Sequence, residues 1–330
     1  MSAKLPNFFV VGAPKAATTF LYESLQQHPQ VYMSPLKEPN YFASEMRPEY
    51  FPEEARAWVA RQMRELEAYL RGDMREKRFG GFVTSWEDYL KLFRAVTDQV
   101  AIGEASPSYL WSRTAAQNIA SRLPHARIII NLRNPIDRAF SHYLHQVTEG
   151  LTNQTFRQTI EATLRAGHGQ CPVERTLLEF GQYCGQIKRY QKEFPRDQIH
   201  ISLYDDLERS PAALMEDLLI FLGVDPDIRF DASRRQLEPR IPKLQGVAYF
   251  LKRSHLWPHL RKLLPQPLGP RLRSALMRSR RSLVMNPADR AFLTEYYHDE
   301  IENLAALLGR DLSAWLGHRT LERDSRVSNG

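Results

Sequence analysis

Residues 8–21 constrain this chain most. Phe8-Phe9-Val10-Val11-Gly12-Ala13-Pro14-Lys15-Ala16-Ala17-Thr18-Thr19-Phe20-Leu21 runs an apolar strand into a short turn, and the turn opens a helix. The first N–H groups of a helix have no intrahelical partner, and the aligned peptide dipoles add partial positive charge there. An anion at that end is held by amides, two threonine hydroxyls and one lysine ammonium together. A Walker A loop needs a second glycine directly before its lysine. Here Lys15 comes three residues after Gly12 with no second glycine, which argues for a phosphate donor other than a nucleoside triphosphate.

A second strand–loop–helix follows at Ile128-Ile129-Ile130-Asn131-Leu132-Arg133-Asn134-Pro135-Ile136-Asp137-Arg138-Ala139-Phe140-Ser141-His142-Tyr143. Between the two lie Leu36-Lys37-Glu38-Pro39-Asn40-Tyr41-Phe42 and Gly103-Glu104-Ala105-Ser106-Pro107-Ser108-Tyr109. Together these segments resemble sulfotransferases that use 3′-phosphoadenosine-5′-phosphosulfate (PAPS), in the branch of bacterial, soluble relatives of the heparan-sulfate N- and O-sulfotransferases. The likeness covers most of the chain, with 43–99 and 232–288 poorly matched. It implies a P-loop-like three-layer α/β fold, with a central mostly parallel sheet flanked by helices and a basic C-terminal helical lid. One domain is expected over 1–330: a PAPS-binding core (1–232), a basic lid (233–290), and a C-terminal helix with its tail (291–330).

The resemblance also assigns roles. Lys15, Ala16, Ala17, Thr18 and Thr19 would hold the 5′-phosphosulfate, Lys15 also stabilising the leaving group. Arg133 and Ser141 would hold the 3′-phosphate, an arginine offering planar donors that suit it. Arg138 competes within the motif unless it pairs with Asp137 or another acid. Glu38 would be the general base, its pKa raised toward the working range by burial. A surface pairing with Lys37 is the plainer role for Glu38, and helix capping the plainer role for the threonines. His142 and His145 rival Glu38, because another branch of the family uses a histidine. The heparan-type lysine after Glu104 is Ala105 here. Lys37, or Arg240 or Lys243 from the basic stretch, would replace it, and Arg240 is placed with the donor-binding residues. The implied reaction moves a sulfuryl group from PAPS to a hydroxyl of a carbohydrate or other small molecule, with no metal. A P-loop small-molecule kinase and a non-catalytic nucleotide-binding protein are the alternatives.

Charge narrows the partners. Between 240 and 284 the chain has eleven Lys/Arg and no Asp/Glu, against +7 overall, so the remainder is net acidic. A solvated helical face, a lid over the phosphates or an anionic acceptor, and a peripheral membrane contact all fit this stretch. No nucleic-acid motif accompanies it. Two cysteines, Cys171 and Cys184, imply no disulfide framework. The first strand begins at once, and no run of about 18 apolar residues is present, so a cytoplasmic location is expected.

Strands are expected at 8–11, 31–33, 100–103, 127–132 and 199–203. The runs at 8–11 and 128–130 do not alternate, as suits strands covered on both faces. Helices are expected to begin near 18, 52, 85, 113, 135, 154, 175, 211 and 287, several behind a Pro or a Ser/Thr/Asp-type cap. Glycines at 80–81 and 167–169 mark loops.

Overall fold

The computed structural model describes residues 4–51, 53, 56–166, 176–227, 240–242, 277–279 and 283–317. Five strands, β1 (Phe8–Gly12), β2 (Val31–Met33), β5 (Ala101–Ala105), β6 (Arg127–Leu132) and β7 (Ile199–Leu203), form one sheet in the order β2-β5-β1-β6-β7. Every pairing in it is parallel. Among the described residues there are two further short pairs: β3 (Leu36–Lys37) parallel to β4 (Arg78–Phe79), and β8 (Arg240–Pro242) antiparallel to β9 (Met277–Ser279).

The sheet is buried on both faces. Phe9, Val11, Ile128 and Ile130 pack into one cluster with Tyr109, Ile136, Tyr183 and Tyr297. Phe8, Val10 and Ile129 pack into another with Leu21, Leu25, Leu214 and Leu218. Alternate residues therefore serve opposite layers, and both must be apolar. Each such side chain contributes about 1.5–3 kcal/mol when fully buried.

Sequence and structure agree closely on the five strands of the main sheet, except that β5 runs on through Glu104 and Ala105; β3, β4, β8 and β9 were not expected. Helices with a strong start signal begin where expected. Pro135–Glu149 and Pro287–Leu308 each have Pro at the first position and an Asn cap. Pro211–Leu222 is capped by Ser210 and stopped by Gly223 at φ 71°. Weaker starts fall two to four residues late: Arg56–Arg71, Ala115–Arg122 and Phe156–Ala166. Residues 167–169, Cys171 and nearly all of the basic stretch lie outside the described residues. The backbone of β8 lies beside the Pro135–Glu149 helix.

One close approach fixes a residue type in the sheet. A Cβ on Gly103 would sit 2.4 Å from the Phe8 ring, itself fully buried. Gly103→Ala is expected to destabilise the protein by about 1–3 kcal/mol through overpacking. An unchanged unfolding temperature would contradict that packing.

The strand order places the site. From β1 the chain moves outward past β5 to β2, then returns through β5 and crosses β1 to reach β6. Ligands of such open sheets bind at the carboxyl ends of the strands flanking this reversal. The segments after β1, β5 and β6 are three of the four singled out above, and the fourth, 36–42, follows β2.

Candidate active site

Residues 12–17 after β1 form a turn tied down from several sides. The Ala13 N–H donates to the Asn131 carbonyl at 2.7 Å, and the Asn131 amide donates to the Ala16 carbonyl at 2.6 Å. Asn131 is in turn held by the Ser202 hydroxyl at 2.9 Å. Lys15 and Ala17 adopt left-handed conformations, φ 68° and 60°. Alternation of left- and right-handed residues turns successive N–H groups into one concavity that suits an anion. Ala17 is the N-cap of the Thr18–Leu25 helix and offers no side-chain cap, so neither threonine caps that helix. Thr18 is buried, while Lys15 and Thr19 are half-buried.

Arg133, at the end of β6, meets this turn. Its guanidinium donates to the Lys15 carbonyl at 3.2 Å and lies 4.5 Å from the Tyr204 ring centre. The Tyr183 hydroxyl donates to the Arg133 carbonyl at 2.8 Å. Ser141 is nearly buried on the following helix. Arg138 is not part of this site: it is fully buried and donates to the Leu177 carbonyl. Asp137 pairs instead with Arg290 at 2.6 Å.

Glu38 follows β3 directly, itself left-handed at φ 65°. Its N–H donates to the Ala105 carbonyl at 2.9 Å, which seats it at the end of β5. The buried Lys37 ammonium donates to its carboxylate at 2.5 Å, and the Glu38 side chain as a whole is 40% exposed. Burial pushes the Glu38 pKa up, but Lys37, Lys15 and His145 together outweigh it and hold the carboxyl below its ordinary value. The expected upward shift is therefore corrected: Lys37, Lys15 and His145 all favour the ionised carboxylate. The pairing with Lys37 and the place beside Lys15 occur together.

Glu104 and Ser106 are fully buried and so line no open pocket. Glu104 accepts from Tyr89 at 3.1 Å, Tyr109 at 2.8 Å and Ser106 at 2.7 Å. Burial pushes its pKa up to about 7 against the pull of these hydroxyls, and the Glu38 charge adds to the rise.

The two histidines part company. His142 stacks on Phe180 with ring centres 5.5 Å apart and lies 3.5 Å from Arg138. His145, more exposed, is the one that acts on Glu38. Arg240 begins β8, but its side chain and all of Lys243 lie outside the described residues. Lys15 and Glu38 are thus brought together, with Arg133 on the turn that carries Lys15. Tyr204, Asn40 and Asn131 were missed as site residues by sequence reasoning.

The model of the family described as "Sulfotransferase family" matches residues 6–228. Human bifunctional heparan sulfate N-deacetylase/N-sulfotransferase 2 is 28% identical over 323 residues, covering 95% of this chain and 31% of its own. Mouse carbohydrate sulfotransferase 15 is 23% identical over 320 residues, covering 81% of this chain and 52% of its own. The chain thus spans only 31% of the length of the N-deacetylase/N-sulfotransferase it matches. A solved sulfotransferase from Alicyclobacillus acidocaldarius superposes with a TM-score of 0.67 at 28% identity, covering 94% of this chain and 99% of that one.

Proposed function

This chain belongs to the sulfotransferase family, and from that premise we propose that it transfers a sulfuryl group from PAPS to a hydroxyl of a carbohydrate or other small acceptor. One observation carries the reading: the Glu38 N–H donates to the Ala105 carbonyl, and Ala105 pairs with Val10 of β1, so the candidate base sits at the strand ends beside the turn that bears Lys15. A group that steadies a leaving phosphate and a group that takes a proton are needed on opposite sides of one transferred sulfur.

The residues divide the work. The turn amides, Thr18, Thr19 and Lys15 hold the phosphosulfate end. Arg133, oriented by the Tyr204 ring, and Ser141 hold the 3′-phosphate. The Glu38 carboxylate takes the acceptor O–H proton as that oxygen bonds to sulfur. The bond from sulfur to the phosphate oxygen breaks, and the charge left on adenosine 3′,5′-bisphosphate (PAP) falls to Lys15 and the amides. Lys37, paired with Glu38, whose own N–H meets the Ala105 carbonyl, takes the place of the heparan-type lysine. The kinase alternative is not favoured: the position after Ile130 is an asparagine whose amide is engaged with the Ala16 carbonyl.

The backbone of Arg240–Pro242 beside the helix bearing Ser141 supports a lid role for the basic stretch, with Arg240 near the donor. No helix among the described residues is long and apolar enough to cross a membrane. Cys184 is a buried free thiol, in keeping with a reducing compartment such as the cytoplasm.

Donor binding tests this reading most directly. PAP should bind much more tightly than AMP in calorimetry, without Mg²⁺. Losing one arginine–phosphate contact costs about 2–3 kcal/mol, so Arg133→Ala should weaken PAP by about 30- to 150-fold and scarcely affect AMP. Equal affinity for PAP and AMP in the unaltered protein would remove the 3′-phosphate site. Turnover of labelled PAPS against saccharides, lipids and phenols then identifies the acceptor.

A further inference from the structure

We propose that Glu104, Ser106 and Asn40 are positioning residues, a clamp that fixes where the Glu38 carboxylate points. The proposal rests on the reading of Glu38 as the base. Glu38 and Asn40 both hold left-handed backbones, φ 65° and 56°, within three residues. L-residues rarely adopt that region, and asparagine is among the few that tolerate it. Such conformations persist only where the surroundings over-determine them.

The surroundings here are a continuous chain of hydrogen bonds. The Asn40 side-chain amide donates to the Glu38 carbonyl at 2.9 Å and to the Gly81 carbonyl at 3.1 Å. Its Oδ1 accepts from the Ser108 hydroxyl at 2.5 Å. Its backbone N–H donates to Ser106 Oγ at 3.3 Å, and that hydroxyl donates to Glu104 Oε2 at 2.7 Å. The Gly81 N–H closes the loop on the Glu38 carbonyl at 3.0 Å.

Glu104 explains the direction of the chain. A buried carboxylate is tolerated only when hydrogen-bonded, and its other oxygen is already filled by Tyr89 and Tyr109. The Ser106 hydroxyl donates to the remaining oxygen, Oε2, at 2.7 Å. The Ser106 lone pairs are then left for the Asn40 N–H. A fully buried acid with no step in the chemistry thereby orders the turn that carries the base. Reacting groups displaced by an ångström lose much of their rate, so the clamp should show in kcat.

The test uses labelled PAPS, with a heparosan oligosaccharide bearing free amines and hydroxyls as one acceptor and water as the other. Ser106→Ala and Asn40→Gly should lower kcat by about 10- to 100-fold while PAP affinity stays within about twofold. Ser106→Thr, which keeps the hydroxyl, should restore turnover. Asn40→Gly carries the same readings if Ser106→Ala does not fold, because glycine adopts the left-handed backbone without strain. Unchanged kcat in both variants, or loss of PAP affinity in step with kcat, overturns the clamp. Glu38→Gln in parallel separates the two ideas: normal turnover there overturns the base itself. Collapse there beside normal turnover in Ser106→Ala overturns the clamp alone. No transfer by the unaltered protein to these two or to any saccharide, lipid or phenol of the acceptor series removes the role of Glu38, and the clamp with it.

Discussion

Lys15→Ala is expected to weaken PAP binding by about 10- to 150-fold, the worth of one hydrogen bond to a charged group, and to lower kcat by a further factor of about 10²–10³. Both should fall, because the ammonium meets phosphate in the ground state and meets more charge as the sulfur leaves. A group that only bound the donor would change affinity alone. Alanine inherits the same left-handed backbone, φ 68°, so the comparison isolates the side chain. Lys15→Arg serves as the charge control: it keeps the positive charge with different reach, and should recover binding better than rate. Calorimetry with PAP and single-turnover kinetics with labelled PAPS separate the two effects. Undiminished PAP affinity in Lys15→Ala would take the turn out of the donor site.

The chemistry of that turn was legible from residue order alone, because strand, turn, lysine and two threonines are contiguous. So were all five strands of the main sheet. Their apolar runs are continuous, and burial on both faces makes them so. Helix starts behind Pro or a polar cap, at Pro135, Pro211 and Pro287, were equally readable. Those near 52, 113 and 154 drifted although local signals stand close by: Thr155 and Gln158 cap the helix at 156 reciprocally, two residues beyond the expected start.

The β3–β4 pair went unread. Each strand has two residues, too few for a period, so the short strand leading into Glu38 left no pattern to read. Asn40 and Ser106 meet across 66 positions of sequence, and no local pattern announces that contact. Tyr204 could have been found. Strands at 127–132 and 199–203 were both expected, and as parallel neighbours they place their next residues, Arg133 and Tyr204, side by side. The direction of the Glu38 shift could not have been read whole, since beside its neighbour Lys37 it depends on Lys15 and His145, which the fold brings in from distant segments.

Glu38→Gln is expected to lower kcat by about 10²–10⁴, the usual worth of a positioned base, with PAP affinity retained. Glutamine keeps the size and one acceptor of the side chain but cannot take the proton. It also leaves the nearly buried Lys37 ammonium without its carboxylate, so a lower unfolding temperature should accompany the loss. The pH behaviour follows from the sign of the shift. Burial raises the Glu38 pKa, but Lys37, Lys15 and His145 lower it by more. The free protein therefore holds an ionised base above the ordinary carboxylate range, and its stabilising ion pair is lost only as pH falls through the depressed value. The acid limb of kcat/KM, which reports the free enzyme, should lie correspondingly low. Donor binding changes the balance: the phosphosulfate engages Lys15 and brings negative charge of its own, so the Glu38 pKa climbs. The acid limb of kcat, which reports the bound complex, should then lie at higher pH than that of kcat/KM. His142→Ala, whose ring is stacked on Phe180, and His145→Ala should both keep most of the turnover. Collapse in His145→Ala beside near-normal turnover in Glu38→Gln would reverse the assignment, making the imidazole the base and the glutamate the group that steadies its charge.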